Sequence, residues 1–122
     1  IDQSDFEQKV IEASNHKLIV VDFWAPGCGP CKQLTPIMEK VAKENIGEFE
    51  LVKINIDNNS EIASQLRIQS IPTVYAFKEK KIVNAFQGVI SERDFIDFVE
   101  KSTGKKLKED MTEFYNNIRG II

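Results

Sequence analysis

The chain has 122 residues, a formal net charge of −3 and a hydrophobic fraction of 42%. This length predicts one domain with a buried core. The weakly acidic net charge gives no reason to expect nucleic acid as a partner. The sequence contains no run of 18 apolar residues, so we expect neither a transmembrane helix nor a membrane partner. No secretory signal is visible, although the chain begins at Ile1 rather than Met and a leader is compatible with that start. We expect a monomer.

The first predicted element is a helix from Ser4 to about Ser14. Ser4 and Glu7 have the spacing of a capping box, in which each residue satisfies a free backbone donor of the first turn. Apolar side chains at positions 6, 10, 11 and 13 supply one face of this helix. The polar turn that follows contains His16, the only histidine, which we expect to be a solvated loop residue rather than a catalytic base.

Residues 18–24 predict a central strand, because they are apolar on both faces except at Asp22. Two interpretations of Asp22 are open: a carboxylate that faces water or caps a helix at the strand end, or a buried carboxyl group. Burial is favoured because Phe23 and Trp24 continue the apolar run. A buried carboxyl group is costly to ionise, so its pKa should be raised.

The only two cysteines lie where this strand gives way to a helix. Pro30 has no backbone donor and fits only the first turn, so the helix should begin near Gly29. Cys28 is then at the helix tip and Cys31 one turn further in, close enough for their sulfurs to bond. Free N–H groups and the helix dipole favour a thiolate at the tip. Cys28, with a pKa below the usual value of about 8.5, is the predicted attacking sulfur, and Cys31 the one that releases the product.

Two structural interpretations of the cysteine pair, as a staple or a metal site, are less favoured. A disulfide across two residues closes a very small loop and stabilises a fold little. A structural zinc site needs about four Cys or His ligands, and the chain has two Cys and one His. We therefore expect no metal and a redox-active pair, with buried Asp22 suited to exchange a proton with Cys31. The absence of further cysteines fits a reducing compartment, and we expect a cytoplasmic protein.

The remaining elements alternate in type along the chain. They are a helix to about Asn45, a strand Phe49–Ile56, a short helix marked by Ile62, Ala63 and Leu66, a strand Ile71–Phe77, a returning strand Ile82–Phe86, and a helix capped by Ser91 and closed by Gly104. Lys53, inside the second strand, either extends to the surface or pairs with Asp22 beneath the redox site. An apolar stripe predicts a final helix over residues 105–122, packed on the domain of residues 1–104 rather than on a partner.

From about Phe6 to Thr103 the chain resembles the thioredoxin family. The resemblance is carried by the segments Val21–Ala25 and Cys28–Lys32, by Pro36, by Lys53–Asp57, by Ile71–Thr73 and by Gly88. It implies an α/β thioredoxin fold, a central mixed sheet in the order β-α-β-α-β-β-α flanked by helices, here with an extra C-terminal helix. It also implies a cis Ile71–Pro72 bond and buried proton-transfer roles for Asp22 and Lys53. The implied substrate groove comprises Trp24, Pro26, Gly27, Gly29, Pro30, Ile71, Pro72 and Gly88.

The same resemblance implies a protein-disulfide reductase that acts on disulfide-containing client proteins. It needs no cofactor beyond its own disulfide, which an NADPH-dependent thioredoxin reductase would reduce. Two departures from the family stand out: Gly27 occupies a position where the family commonly has Trp, and the family's first edge strand would precede Ile1. A binding or chaperone module and a disulfide oxidase or isomerase remain alternative hypotheses at this point.

Overall fold

A computed structural model describes residues 1–107 of the chain. A helical segment at the N-terminus consists of two 3₁₀ turns, Gln3–Asp5 and Ala13–Asn15, on either side of a π-helix, Glu7–Glu12. The elements that follow are β1 (Leu18–Trp24), α1 (Gly29–Glu44), β2 (Phe49–Asn55), α2 (Ser60–Gln65), β3 (Thr73–Lys78), β4 (Lys81–Gln87) and α3 (Glu92–Thr103). The predicted β-α-β-α-β-β-α order is confirmed.

The four strands form one mixed sheet in the order β2-β1-β3-β4. β1 is parallel to β2 and antiparallel to β3, and β3 is antiparallel to β4. A parallel pair needs a long crossover connection, and α1 supplies it between β1 and β2. β1 therefore lies inside the sheet with a neighbour on each side, which explains its continuous apolar sequence.

The two faces of β1 bury separate hydrophobic clusters. Leu18 and Val20 pack with α1 and α3 on one face, whereas Ile19, Val21 and Phe23 pack with the N-terminal segment and α2 on the other. This division follows the two-residue alternation of the strand, as predicted. Asp22 belongs to the same alternating set as Val20, so its side chain lies on the sheet face that α1 covers.

The predicted capping box at the first helix was wrong. The helical segment begins at Gln3, one residue before Ser4, and its N-cap is Asp2. The backbone N–H of Gln3 donates instead to Asn59 Oδ1 at 2.7 Å, and Gln3 Oε1 accepts from the N–H of Ile62 at 3.2 Å. A tertiary partner, Asn59, thus satisfies one of the free backbone donors at the start of this segment.

The C-terminal helix of the domain, α3, has the predicted ends. Ser91 Oγ accepts from the N–H of Asp94 at 3.0 Å, and Gly104 ends the helix with φ +77°. Residues 104–107 are non-helical, and the rest of the predicted final helix, residues 108–122, lies outside the described residues. Over residues 1–107, no helix has the length and apolar character needed to cross a bilayer.

Candidate active site

Three chain segments meet at one end of the sheet. β1 ends there at Trp24, and the antiparallel strand β3 begins there at Thr73, opposite Phe23. β4 ends at the same edge, because Thr73 pairs with Gln87. Strand direction alone therefore brings the predicted residues of the loop after β1 to the same end of the sheet as Pro72 and Gly88.

The cysteine pair lies at this end of the sheet, at the N-terminus of α1. Cys28 is the N-cap residue, with extended backbone, and the helix begins at Gly29 as predicted. Cys28 and Cys31 form a disulfide with their Cα atoms 5.3 Å apart. Cys28 Sγ accepts a hydrogen bond from the N–H of Cys31 at 3.1 Å. This bond, with the positive end of the α1 dipole, stabilises negative charge on Cys28 when the pair is reduced.

The two sulfur-bearing residues differ in their access to solvent. Cys28 is 9% exposed and Cys31 2% exposed. The loop around them is open, since Pro26, Gly27, Gly29 and Pro30 are all exposed. A partner disulfide can therefore approach Cys28 before it approaches Cys31.

Asp22 is fully buried, so the interpretation of a solvent-facing carboxylate was wrong and the buried one is confirmed. Burial raises the pKa of Asp22 to about 6, because the ionised form loses its hydration. A hydrogen bond from Thr35 and the charge of Lys53 oppose this rise, and the charge of Glu39 adds to it. A carboxyl group with this pKa can gain and lose a proton near neutral pH.

Thr35 is the site residue that the sequence analysis missed. Its Oγ1 donates to Asp22 Oδ2 at 2.9 Å. The available signal was its spacing, because residues four apart share a helix face and Thr35 stands four positions after Cys31. A threonine at such a position also satisfies its hydroxyl within a helix or from solvent, so spacing alone did not single it out.

Of the two interpretations of Lys53, extension of its side chain to the surface is confirmed and an ion pair with Asp22 is not. Lys53 is the register partner of Asp22 across β1 and β2, but its side chain is 44% exposed and its ammonium contacts Glu39 Oε2 at 3.3 Å. Water solvates this ammonium, whereas pairing with Asp22 would require its desolvation. Lys53 acts on Asp22 as a neighbouring charge that lowers the pKa of the carboxyl group.

An open pocket of about 270 Å³ lies on the β2 side of the cysteine pair. Its wall includes one cysteine, Cys31, and three residues that interact with Asp22, namely Thr35, Glu39 and Lys53. Trp24 and Pro26 contribute an apolar part of the wall. Solvent in this pocket reaches half-buried Thr35, whose hydroxyl donates to the buried carboxyl group of Asp22.

The β3–β4 side of the pair has a different character. The Ile71–Pro72 bond is cis, as the resemblance implied. Gly88, with φ +80°, donates its N–H to the carbonyl oxygen of Pro72 at 2.9 Å, so these two predicted groove residues are in contact. Ile71 and Trp24 are partly exposed on the same edge. Within residues 1–107 no group of three or more His, Cys, Asp or Glu side chains is arranged to hold a metal ion.

Comparisons with known proteins agree with this architecture. A model of the family described as Thioredoxin matches residues 1–101. The chain is 38% identical to a thioredoxin of Rickettsia felis over 102 residues, which cover 84% of this chain and 95% of that protein. It is 36% identical to thioredoxin 1 of a Nostoc species over 101 residues, 83% of this chain and 92% of that protein. It is 34% identical to a thioredoxin of Haemophilus influenzae, with the same coverage of both chains. A redox-active disulfide at the tip of α1 and these matches along most of the sequence place the chain in the thioredoxin family of thiol–disulfide oxidoreductases.

Proposed function

We propose that the protein is a protein-disulfide reductase that contributes to cell redox homeostasis. The observation that carries this proposal is the disulfide at the N-terminus of α1, with its more exposed sulfur at the N-cap and a buried carboxyl group of raised pKa beneath it. The first feature provides an ionised nucleophile. The second provides a proton acceptor bonded to Thr35, which lines the same pocket as Cys31.

In the first step the thiolate of reduced Cys28 attacks one sulfur of a client disulfide. A bond forms between Cys28 Sγ and that client sulfur, the client's S–S bond breaks, and the second client sulfur leaves as a thiolate that takes a proton from solvent. The N–H of Cys31, which donates to Cys28 Sγ, stabilises the attacking thiolate before the bond forms.

In the second step Cys31 resolves the mixed disulfide. Its thiol gives a proton to the Asp22 carboxylate, and the resulting thiolate attacks Cys28 Sγ. The Cys28–Cys31 bond forms, the S–S bond between Cys28 and the client breaks, and the client sulfur leaves as a thiolate that takes a proton from solvent. Asp22 then returns its proton to solvent. With its pKa at about 6, Asp22 is ionised at neutral pH and is a better proton acceptor than an ordinary carboxylate.

The proposed client site is the groove on the β3–β4 side. Trp24 and Ile71, which are partly exposed, provide apolar contacts. Pro72 is buried, and the hydrogen bond from the Gly88 N–H to its carbonyl oxygen holds the backbone beside which an extended client segment lies. The exposed loop residues Pro26, Gly27, Gly29 and Pro30 complete the rim. We assign the reduction of the disulfide back to the dithiol to an NADPH-dependent thioredoxin reductase. In this proposal the protein acts as a monomer in the cytoplasm.

Reduction of insulin, coupled to NADPH through a thioredoxin reductase, tests the proposal. We expect the wild-type chain to turn over insulin disulfides and Cys28→Ser to abolish turnover, because no other described sulfur is as exposed. Cys31→Ser should instead accumulate a client-bound mixed disulfide. A wild-type rate no faster than that of Cys28→Ser would contradict the reductase function.

Equilibration with glutathione buffers separates a reductase from an oxidase or isomerase. A reductase should have a Cys28–Cys31 couple more reducing than the glutathione couple, so that the dithiol form passes electrons to clients. Tryptophan fluorescence of Trp24, close to the pair, provides a readout. A couple more oxidising than glutathione would favour an oxidase.

A further inference from the structure

We propose that Thr35 is a positioning residue that determines which oxygen of Asp22 receives the proton from Cys31. The inference deepens the proposed function, because it concerns the proton acceptor of the resolving step. It rests on a hydrogen bond, an unpaired oxygen and a shared pocket, each of which involves residues within the described part of the chain.

The hydrogen bond fixes one of the two carboxyl oxygens. Thr35 Oγ1 donates to Asp22 Oδ2 at 2.9 Å. Asp22 Oδ1, in contrast, is buried and accepts no hydrogen bond from any residue in the range 1–107. A buried charge with an unpaired oxygen is costly, and protonation at Oδ1 removes the charge while it leaves Oδ2 free to accept from Thr35. The proton therefore belongs on Oδ1.

The same bond survives the change in protonation. When Oδ1 is protonated, Oδ2 becomes a carbonyl-type oxygen that still accepts from the Thr35 hydroxyl. The carboxyl group thus keeps its orientation through the cycle. The bond is stronger to the ionised form, because a hydrogen bond to a charged acceptor exceeds one to a neutral acceptor.

The location of Thr35 connects the carboxyl group with the sulfur. Cys31 and Thr35 are four residues apart on α1 and line the same pocket. The charged groups around Asp22 come from two elements: Glu39 on α1 raises the pKa of Asp22, and Lys53 on β2 lowers it. On β3 the register partner of Asp22 is Val74, which carries no charge. Lys53 and Glu39 contact each other at the surface. Among the described residues, Thr35 is the one whose side chain donates a hydrogen bond to the Asp22 carboxyl group.

The test compares Thr35→Val with Thr35→Ser. Valine keeps the shape of threonine and removes the hydroxyl, whereas serine keeps the hydroxyl and removes a methyl group. The measurement is the pH titration of the Asp22 carboxyl carbon by NMR in the oxidised protein, which requires neither a client nor a reductase. We expect Thr35→Val to raise the titration midpoint by roughly one pH unit, because the bond to the ionised form is lost. Thr35→Ser should titrate within a few tenths of a pH unit of wild type.

A kinetic arm tests the consequence for the resolving step. The rate at which a mixed disulfide on Cys28 is released should be followed between pH 5 and pH 9 for all three proteins. Its acid limb should move to higher pH in Thr35→Val and stay in place in Thr35→Ser. If Thr35→Val fails to fold, Thr35→Ala provides the same loss of the hydroxyl.

Two outcomes would overturn the inference. One is an Asp22 midpoint that is the same in wild type and Thr35→Val, and the other is an equal displacement in the valine and serine variants. Neither outcome affects the proposed function, which fails only if the wild-type chain does not reduce client disulfides.

Discussion

The two sides of the cysteine pair differ in both composition and burial. On the β2 side, a pocket lined by Thr35, Glu39 and Lys53 borders a buried carboxyl group. On the β3–β4 side, half-buried Ile71 and Gly88 flank the buried Pro72, to whose carbonyl oxygen Gly88 donates. β1 is central in the sheet, so the loop that it supports has one neighbour strand on each side.

In the function that we propose, this difference separates the movement of protons from the binding of client proteins. A proton acceptor near neutral pH needs a desolvated carboxyl group, which only a buried position provides. A client protein needs exposed backbone and apolar side chains, which a buried position excludes. We propose that the β2 side serves the first need and the β3–β4 side the second, with Trp24 at the boundary between them. The predictions that follow test whether the two sides can be altered separately.

The largest effect is expected from Asp22→Asn. The pKa of Asp22 is raised from 3.8 to about 6, so the folded chain binds more protons than the unfolded chain between these pH values. The wild-type free energy of unfolding should therefore fall as pH rises from 4 to 6, by up to about 3 kcal/mol. The free energy of unfolding of Asp22→Asn should not fall over this range, so the variant should be more stable than wild type at pH 8. It should also resolve mixed disulfides more slowly. Urea unfolding of the oxidised proteins across this pH range measures the effect.

Asp97 provides a control of opposite sign. A hydrogen bond from Arg93 lowers the pKa of this surface carboxylate. Its contribution to stability is present above its unfolded pKa and is lost as pH falls. Asp97→Asn should therefore be slightly less stable than wild type at neutral pH and no less stable in acid. Parallel pH profiles for wild type and Asp22→Asn would refute the buried proton acceptor.

An intermediate effect is expected from Ile71→Ala on the β3–β4 side. If Ile71 contacts clients, the variant should raise KM for insulin by roughly tenfold, about 1.4 kcal/mol. The Asp22 titration and the reduction of a small-molecule disulfide should be unchanged. Ile82→Ala is the matched control, because Ile82 is 48% exposed and lies at the opposite end of the sheet, paired with Phe77. Equal effects of the two substitutions would remove the distinction between the sides.

The smallest effect is expected from Gly27, in the loop beside the pair, and it is compared with that of Gly88, which bonds Pro72. An added Cβ meets nothing within 4 Å at either Gly27 or Gly88, but Gly88 has φ +80°. Gly88→Ala should destabilise the protein by roughly 1–2 kcal/mol, because an L-residue is strained in that region. Gly27→Ala should stabilise it by roughly 0.4–1 kcal/mol, through lower entropy of the unfolded chain. Thermal unfolding of both variants measures the difference, and a loss of stability in Gly27→Ala would contradict it.

The sequence by itself determined the features that depend on neighbours along the chain. Pro30 and the two cysteines predicted the start of α1 and the place of the disulfide, because proline without an N–H fits only a first helical turn. The alternation of β1 predicted which residues pack on each face, since successive side chains of a strand point to opposite sides. Burial of Asp22 followed from the apolar residues on both sides of it.

Only the tertiary structure decided the partners of the polar groups. Thr35 bonds Asp22 from 13 positions away, Lys53 contacts Glu39 from 14, and Gln3 reaches Asn59 across 56. Such pairs leave no periodic pattern, and each polar group has several acceptable partners, including water. Their choice depends on which elements pack together, so the position of the cysteine pair was evident from local sequence while the polar groups around Asp22 were not.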